Sequence, residues 1–302
     1  MCILHQMSSD CPIPTLAELL APLAERAEAS LSRYLLESLP PATLAGAMRY
    51  CVEGGKRLRP ALVYMAYNAC GGGDDELADR CAAAIEMVHV YSLVHDDLPA
   101  MDDDALRRGR PTAHVQFGEP MAILVGDALL TRAMGAIADH GSVAAARCVA
   151  DLAAGAGQTG MVAGQIADMD LCEVEEGLAG LESIHLRKTA ALLIAAVRMG
   201  ALAAGADDAK LEALTTYAEN LGLAFQVFDD LLDVTASAAE LGKTPGKDAA
   251  SGKQTMASLL GLEAATALGQ RLTDDATQAL GLFGSGGDDL NTLAGLLSAR
   301  RY

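Results

Sequence analysis

Residues 81–104 read CAAAIEMVHVYSLVHDDLPAMDDD. The stretch 81–95 is an apolar helix that runs straight into an acidic cluster. Asp96, Asp97, Asp102, Asp103 and Asp104 place five carboxylates within nine residues. They repel one another, at a cost in stability unless something cationic sits among them. Carboxylates are natural ligands of hard divalent cations such as Mg²⁺. Pro99 lacks an N–H and restricts Leu98, so the helix breaks or bulges inside the cluster, which would bring Asp102 back toward Asp96. The bland alternative is a solvated acidic helix end.

The helical period extends along the chain. Leu16, Leu19, Leu20 and Leu23 recur at helical spacing, as do Leu31, Tyr34, Leu35 and Leu39. Further runs cover 61–70, 77–98, 120–139, 143–168, 180–204, 208–235 and 254–281. They are punctuated by Pro40-Pro41, Gly71 to Asp74, Gly109-Arg110-Pro111, Gly205, Gly242 to Gly252 and Gly284 to Asp289. Alternating strand-type runs with hairpin turns are not found. The expectation is a single all-α domain over residues 1–302, of about ten to twelve helices, with residues 1–14 as a disordered tail.

Composition narrows the function. The 302 residues carry 22 Lys+Arg against 40 Asp+Glu, a formal charge of −18. That leaves no basic field for nucleic acid or anionic lipid. A hydrophobic share of 51% with 21% charged residues is not a disordered composition. Trp is absent and aromatics make up 4%, against a β-sandwich or sugar-binding module, while alanine is roughly a fifth of the chain. The mean hydropathy of +0.23 prompts a search for a membrane span. The longest uncharged stretch, Leu152 to Ala167, holds four Gly and two Gln and falls short of a span, so none is expected. The start MCILHQMSSDCPIP lacks a basic segment and a long apolar core, so no signal peptide is expected. Seven cysteines, odd in number and without a CxxC pair, read as reduced thiols of a cytoplasmic protein.

A second acidic cluster, FQVFDDLLD at 225–233, puts Asp229 and Asp233 four residues apart on one helix face, amid Phe225, Phe228, Leu231 and Leu232. Carboxylates beside an apolar stripe are less often mere surface. Two segments are basic. GGKRLRP at 54–60 is a Gly-rich turn opening a helix, a ready anion site, with Pro60 suited to the first turn. Arg107-Arg108-Gly109-Arg110 follows the first acidic cluster. Any one of these segments alone could be a solvated loop or face. Together they are better explained by a small polyanion carried on metal ions.

The chain resembles the polyprenyl (isoprenyl) diphosphate synthases, and most nearly the bacterial-type farnesyl diphosphate synthases. The matching segments are GGKRLRP (54–60), HVYSLVHDDLPAMDDDALRRGRPTAH (89–114), GDALL (126–130), HLRKTAALL (185–193), GLAFQVFDDLLDV (222–234) and LGKTPGKDAASGKQT (241–255). The resemblance implies an all-α isoprenoid-synthase helical bundle around a central cavity, and a homodimer. It assigns two Mg²⁺ ions to Asp96 and Asp102 and a third to Asp229, with Asp97 and Asp233 in support. Arg107, Lys188 and Lys243 would join the clamp on an allylic diphosphate. Isopentenyl diphosphate would be held without metal by Gly55, Lys56, Arg59, His89 and Arg108. Thr189 and Gln226 would face the allylic carbocation, and the released diphosphate would take the final proton. Gly242 to Lys253 would form a lid carrying Lys243, Lys247 and Lys253. Tyr91, five residues before Asp96 and about 7.5 Å down the helix, would floor the tunnel of the growing chain.

The implied reaction joins isopentenyl diphosphate to dimethylallyl and then geranyl diphosphate, giving farnesyl diphosphate. Geranyl or geranylgeranyl diphosphate is the alternative product. A non-catalytic subunit of such a synthase would typically lose aspartates of one or both motifs, and Asp96, Asp97, Asp102, Asp229, Asp230 and Asp233 are all present. A terpene cyclase would not need GGKRLRP or Arg108. Arg300 and Arg301, near the C-terminus, are candidates for closing the site over isopentenyl diphosphate.

Overall fold

Fourteen α-helical segments carry the chain in a computed structural model that describes residues 14–35, 41–235 and 254–299. They are α1 (Leu16–Tyr34), α2 (Ala42–Val52), α3 (Leu58–Ala69), α4 (Asp75–Asp96), α5 (Ala113–Phe117), α6 (Glu119–Ala138), α7 (Val143–Ala156), α8 (Met161–Asp168), α9 (Leu178–His185), α10 (Ala191–Ala203), α11 (Asp208–Thr235), α12 (Met256–Leu260), α13 (Leu262–Ala279) and α14 (Asp288–Ser298). A π turn, Leu186–Ala190, welds α9 to α10. With that junction counted as one rod and the five-residue α5 and α12 set aside, eleven rods remain, within the expected ten to twelve.

Local sequence explains where the main helices begin. Thr15 caps α1 in a reciprocal box with Glu18, and the Asp74 carboxylate accepts from the Leu77 N–H at the start of α4. Helices α3, α4 and α10 are buried on nearly every side and form the interior, whereas α1 and α13 have one apolar face and lie outside. The abundant alanine and glycine let these rods approach closely. A Cβ on Gly200 of α10 would collide with the Val63 carbonyl of α3. The long α11 runs through two apolar clusters. Its first half joins the main core, and Ala224, Val227, Phe228 and Leu231 join a smaller one with α12 and α13.

Three details differ from the sequence reading. The run 143–168 is two helices, because the chain turns at 157–160, where a Cβ on Gly160 would strike the Gly155 carbonyl. The run 180–204 contains the π turn. A short hairpin does exist: Leu106–Arg107 pairs antiparallel with Arg110–Pro111. Its turn residues, Arg108 (φ 53°) and Gly109 (φ 74°), both have positive φ, the I′ geometry that matches strand twist. Two residues per strand are too few to leave an alternating pattern in the sequence.

Helix α6 is, among the described residues, the one helix long and apolar enough by length and composition to cross a membrane. It carries Asp127 and Arg132, and it buries Ala122, Val125, Leu129, Ala133 and Ile137 in the bundle.

Candidate active site

The C-terminal end of α4 closes as Pro99 dictates. The helix stops at Asp96, the Met101 N–H donates to the Leu98 carbonyl, and the Asp102 N–H returns to the Asp96 carbonyl at 2.8 Å. Asp96 and Asp102 are thereby brought together at one rim. Burial is the main reason that the Asp96 carboxyl is pushed up to about 6. Asp102 and Asp97 push the same way, while Lys188 and Arg107 oppose them. The Gln165 amide of α8 donates to Asp96 Oδ1 at 3.0 Å. Asp97 is buried and bonded three times by the Arg107 guanidinium, at 2.6–2.9 Å. In this structure Arg107 holds the base of the acidic loop.

Beneath Asp96 lies an apolar cavity of about 250 Å³. Tyr91, Ser92 and His95 of α4 form one wall, and Met161, Val162, Gln165, Ile166 and Met169 form much of the other. Tyr91 is 7% exposed, and its ring meets that of His95 edge to face.

The two basic segments converge on the other side of α4. Gly54, Gly55 and Arg57 all have positive φ, so the turn before α3 wraps tightly. Arg57 is buried and paired with Glu86 at 2.6 Å and Glu28 at 2.7 Å. It acts as the anchor of the turn. Arg108, at the hairpin tip, donates to the Gly54 carbonyl at 2.6 Å. Arg59 has a buried Nε with no partner, and burial pulls its basicity down while Glu86 raises it. His89 is driven well below its ordinary value by burial first, then by the charges of Arg59, Arg108, Arg107 and Arg57. It is therefore a neutral imidazole among guanidinium groups. Lys56 is exposed at the edge. A dense group of cations with an unsatisfied donor is what a bound diphosphate would complete.

A third part of the site is built on the π turn, a feature frequent at functional sites. Gly164 of α8 lets Lys188 approach, since a Cβ there would overlap the Lys188 backbone N. The Lys188 ammonium pairs with Asp168 at 2.6 Å. Gly222 of α11 packs on Ala190, beside Thr189, and Gln226 follows one turn further along that helix. Beyond it, Asp230 accepts from the Met256 N–H at 2.7 Å. Asp233 is buried with Oδ1 lacking any partner, and Asp229, just before Asp230, is half-buried.

Gln165, Asp168, Glu86, Arg57 and His185 are parts of the site that sequence reasoning did not single out. Gln165 and Asp168, three apart in an otherwise apolar eight-residue helix, carried the readable signal. Lys243, Lys247, Lys253, Arg300 and Arg301 lie outside the described residues.

Among the described residues no three Asp, Glu, His or Cys side chains are preassembled around one point. Mg²⁺ does not require that, since it is usually held by one or two carboxylates plus substrate phosphates. Asp96 with Asp102 at the end of α4, and Asp229 with Asp233, whose Oδ1 has no partner, on α11, fit that pattern.

Known proteins are similar to this one along most of the chain. The farnesyl diphosphate synthase of Escherichia coli (strain K12) is 46% identical over 267 residues, 85% of this chain and 88% of that protein. Geranylgeranyl pyrophosphate synthase 11 of Arabidopsis thaliana, a chloroplastic protein, is 45% identical over 284 residues, 90% of this chain and 79% of the other. The solved structure of an FPP/GFPP synthase from Zymomonas mobilis superposes with a TM-score of 0.81 at 36% identity, covering 94% of this chain and all of that one. Residues 41–279, from the start of α2 through the basic turn and both acidic clusters to the end of α13, match the family described as Polyprenyl synthetase. The fold is thus the all-α isoprenyl synthase fold, and the chain belongs to the polyprenyl synthetase family of prenyltransferases.

Proposed function

We propose that this chain condenses isopentenyl diphosphate with dimethylallyl and then geranyl diphosphate to give farnesyl diphosphate. One observation carries the reading: an acidic rim and a basic pocket flank the end of α4, above an apolar cavity walled by the buried Tyr91. Asp96 and Asp102, together with Asp229 and Asp233 of α11, would hold Mg²⁺ between protein and allylic diphosphate. Bound Mg²⁺ would neutralise the charge that gathers on diphosphate as the allylic C–O bond breaks. Lys188 adds a fixed cation beside that leaving group.

The metal-free diphosphate belongs in the basic pocket. Arg59 and Arg108 meet it with guanidinium donors, and His89, kept neutral, adds one N–H without further charge. Gly55 leaves room for the Arg108 head. Thr189 and Gln226 present neutral oxygens to the allylic cation, which stabilise it without capturing it. The apolar cavity excludes water, so the cation meets the isopentenyl double bond rather than solvent. The departing diphosphate then accepts the proton lost from the new allylic product.

A second reading, geranylgeranyl diphosphate as product, is favoured by the 45% identity to the Arabidopsis geranylgeranyl pyrophosphate synthase. The Tyr91 floor favours the shorter product. We also propose a homodimer that covers the exposed Ile123 and Leu124 of α6. The deciding experiment is mass analysis of the product after incubation with Mg²⁺ and both C5 diphosphates. A C15 product is expected, a C20 product selects the second reading, and absence of elongation overturns both.

A further inference from the structure

Tyr91 does not stand alone in the wall of the cavity. Its ring centroid lies 5.8 Å from that of His95, at 83°, an edge-to-face pair one turn apart on α4. His95 is held in turn from behind. Its Nε2 lies 3.1 Å from the Ile123 carbonyl of α6. A carbonyl only accepts, so Nε2 carries the hydrogen and donates it. The imidazole also occupies the space over Gly126, where a Cβ would overlap Nε2. Gly126 opens the GDALL segment, which no step of the proposed reaction uses.

The imidazole is thus fixed by the Tyr91 ring, the Ile123 carbonyl and the bare Cα of Gly126. A prenyl tail pressing on Tyr91 presses on a ring whose support cannot retreat, because α6 lies directly behind it. Without the imidazole, a space the size of that ring opens between Tyr91 and α6, and Tyr91 gains a rotamer that vacates the cavity.

We propose that product length is set by the Tyr91–His95–Gly126 stack, with His95 as the positioning residue for Tyr91 and Gly126 as the clearance that lets His95 seat. The proposal rests on the reading of the cavity as the channel for the growing chain. It makes opposite predictions at the two supports. His95→Ala removes the support and lengthens the product. Gly126→Ala drives the imidazole toward the cavity and shortens it.

The test measures product distribution by mass for purified variants given Mg²⁺ and both C5 diphosphates, with thermal midpoints taken alongside. His95→Ala is expected to raise the share of product one isoprene unit longer than the parent's by at least fivefold. His95→Phe, which keeps a ring against Tyr91, is expected to hold the parental length. His95→Gln keeps a donor for Ile123 but no ring, so it should lengthen the product too, and it serves if the Ala variant does not fold. Gly126→Ala should enrich the shorter product. Parental product length in a folded His95→Ala or His95→Gln enzyme, with a longer product from Tyr91→Ala, would overturn the role of His95 while leaving the floor intact. Parental length in Tyr91→Ala as well would overturn the floor reading itself.

Discussion

Arg108 and Gly55 compete for one space: a Cβ on Gly55 would lie 2.7 Å from the Arg108 guanidinium. Arg108 reaches that spot from a hairpin tip 53 residues away and is tethered there by the carbonyls of Glu53 and Gly54. The two basic segments of the sequence are therefore one pocket, closed by contact between a backbone and a side-chain head.

Gly55→Ala and Gly54→Ala separate this contact from backbone strain. Both glycines have positive φ, so either alanine costs about 1–2 kcal/mol. Only at Gly55 does the new methyl meet a neighbour, and that neighbour is the mobile end of an arginine. The added cost falls on function rather than on stability. Steady-state kinetics should show KM for isopentenyl diphosphate rising about tenfold in Gly55→Ala, a loss of one charged hydrogen bond's worth of binding. KM for the allylic diphosphate should change little. Equal effects of the two alanines would refute the contact argument.

Glu86→Gln should destabilise the whole protein. The Arg57 and Glu86 side chains are 1% and 2% exposed and 2.6 Å apart. Breaking a buried pair by neutralising one member typically costs about 3–5 kcal/mol, because the other charge stays in place. Glu28 still pairs with Arg57 from a half-exposed position, so the lower end, about 3 kcal/mol, is expected. Urea unfolding reads the effect directly. The mutant should also bind isopentenyl diphosphate differently, since Glu86 is the anion that offsets Arg59 and Arg108.

The Glu86 network shows where sequence reading reaches and where it stops. The helical period, the breaks at Gly and Pro, and the Pro99 bulge follow from local sterics, and local sterics are written in local sequence. The return of Asp102 to Asp96 was legible for that reason. The clustering of aspartates and arginines was legible as unfavourable repulsion that implies a counter-ion or ligand. Arg57 was not legible as an anchor, because its partners Glu28 and Glu86 are each 29 residues away. The π turn was equally hidden. It packs against Gly164 and Gly222 of two other helices, and neither contact has a local signature.

His185 should make stability depend on mildly acidic pH. It is 8% exposed, and its Nδ1 has no partner. Burial, aided by the Lys188 charge and opposed by Asp168, pushes its imidazole down to about 4, against about 6.5 when unfolded. Between those values the unfolded chain holds more protons, so stability is full above pH 6.5 and is lost as pH falls toward 4. The shift corresponds to about 3 kcal/mol across the window. Urea unfolding of the parent and of His185→Gln at pH 7, 5.5 and 4.5 isolates this group from the many carboxylates they share. The variant's stability should fall less steeply by about that amount, and parallel curves would count against it.

Asp233→Asn should trade metal binding for stability. The Asp233 carboxylate is 8% exposed and leaves Oδ1 unpartnered, an arrangement that costs free energy and that a bound cation would relieve. Removing the charge should therefore raise the thermal midpoint without metal, by the equivalent of about 1 kcal/mol. In the parent, Mg²⁺ with inorganic diphosphate should raise the midpoint further, as any ligand selective for the native state does. In Asp233→Asn that second increment should shrink to a fraction of the parental one, and the Mg²⁺ concentration needed for half-maximal activity should rise about tenfold. Asp230→Asn provides the contrast. Its carboxylate already accepts from the Met256 N–H at 2.7 Å, so neutralising it should weaken the seat of α12 more than the metal response. If both variants lost the Mg²⁺-dependent increment equally, the assignment of Asp233 as the residue facing the metal would fail.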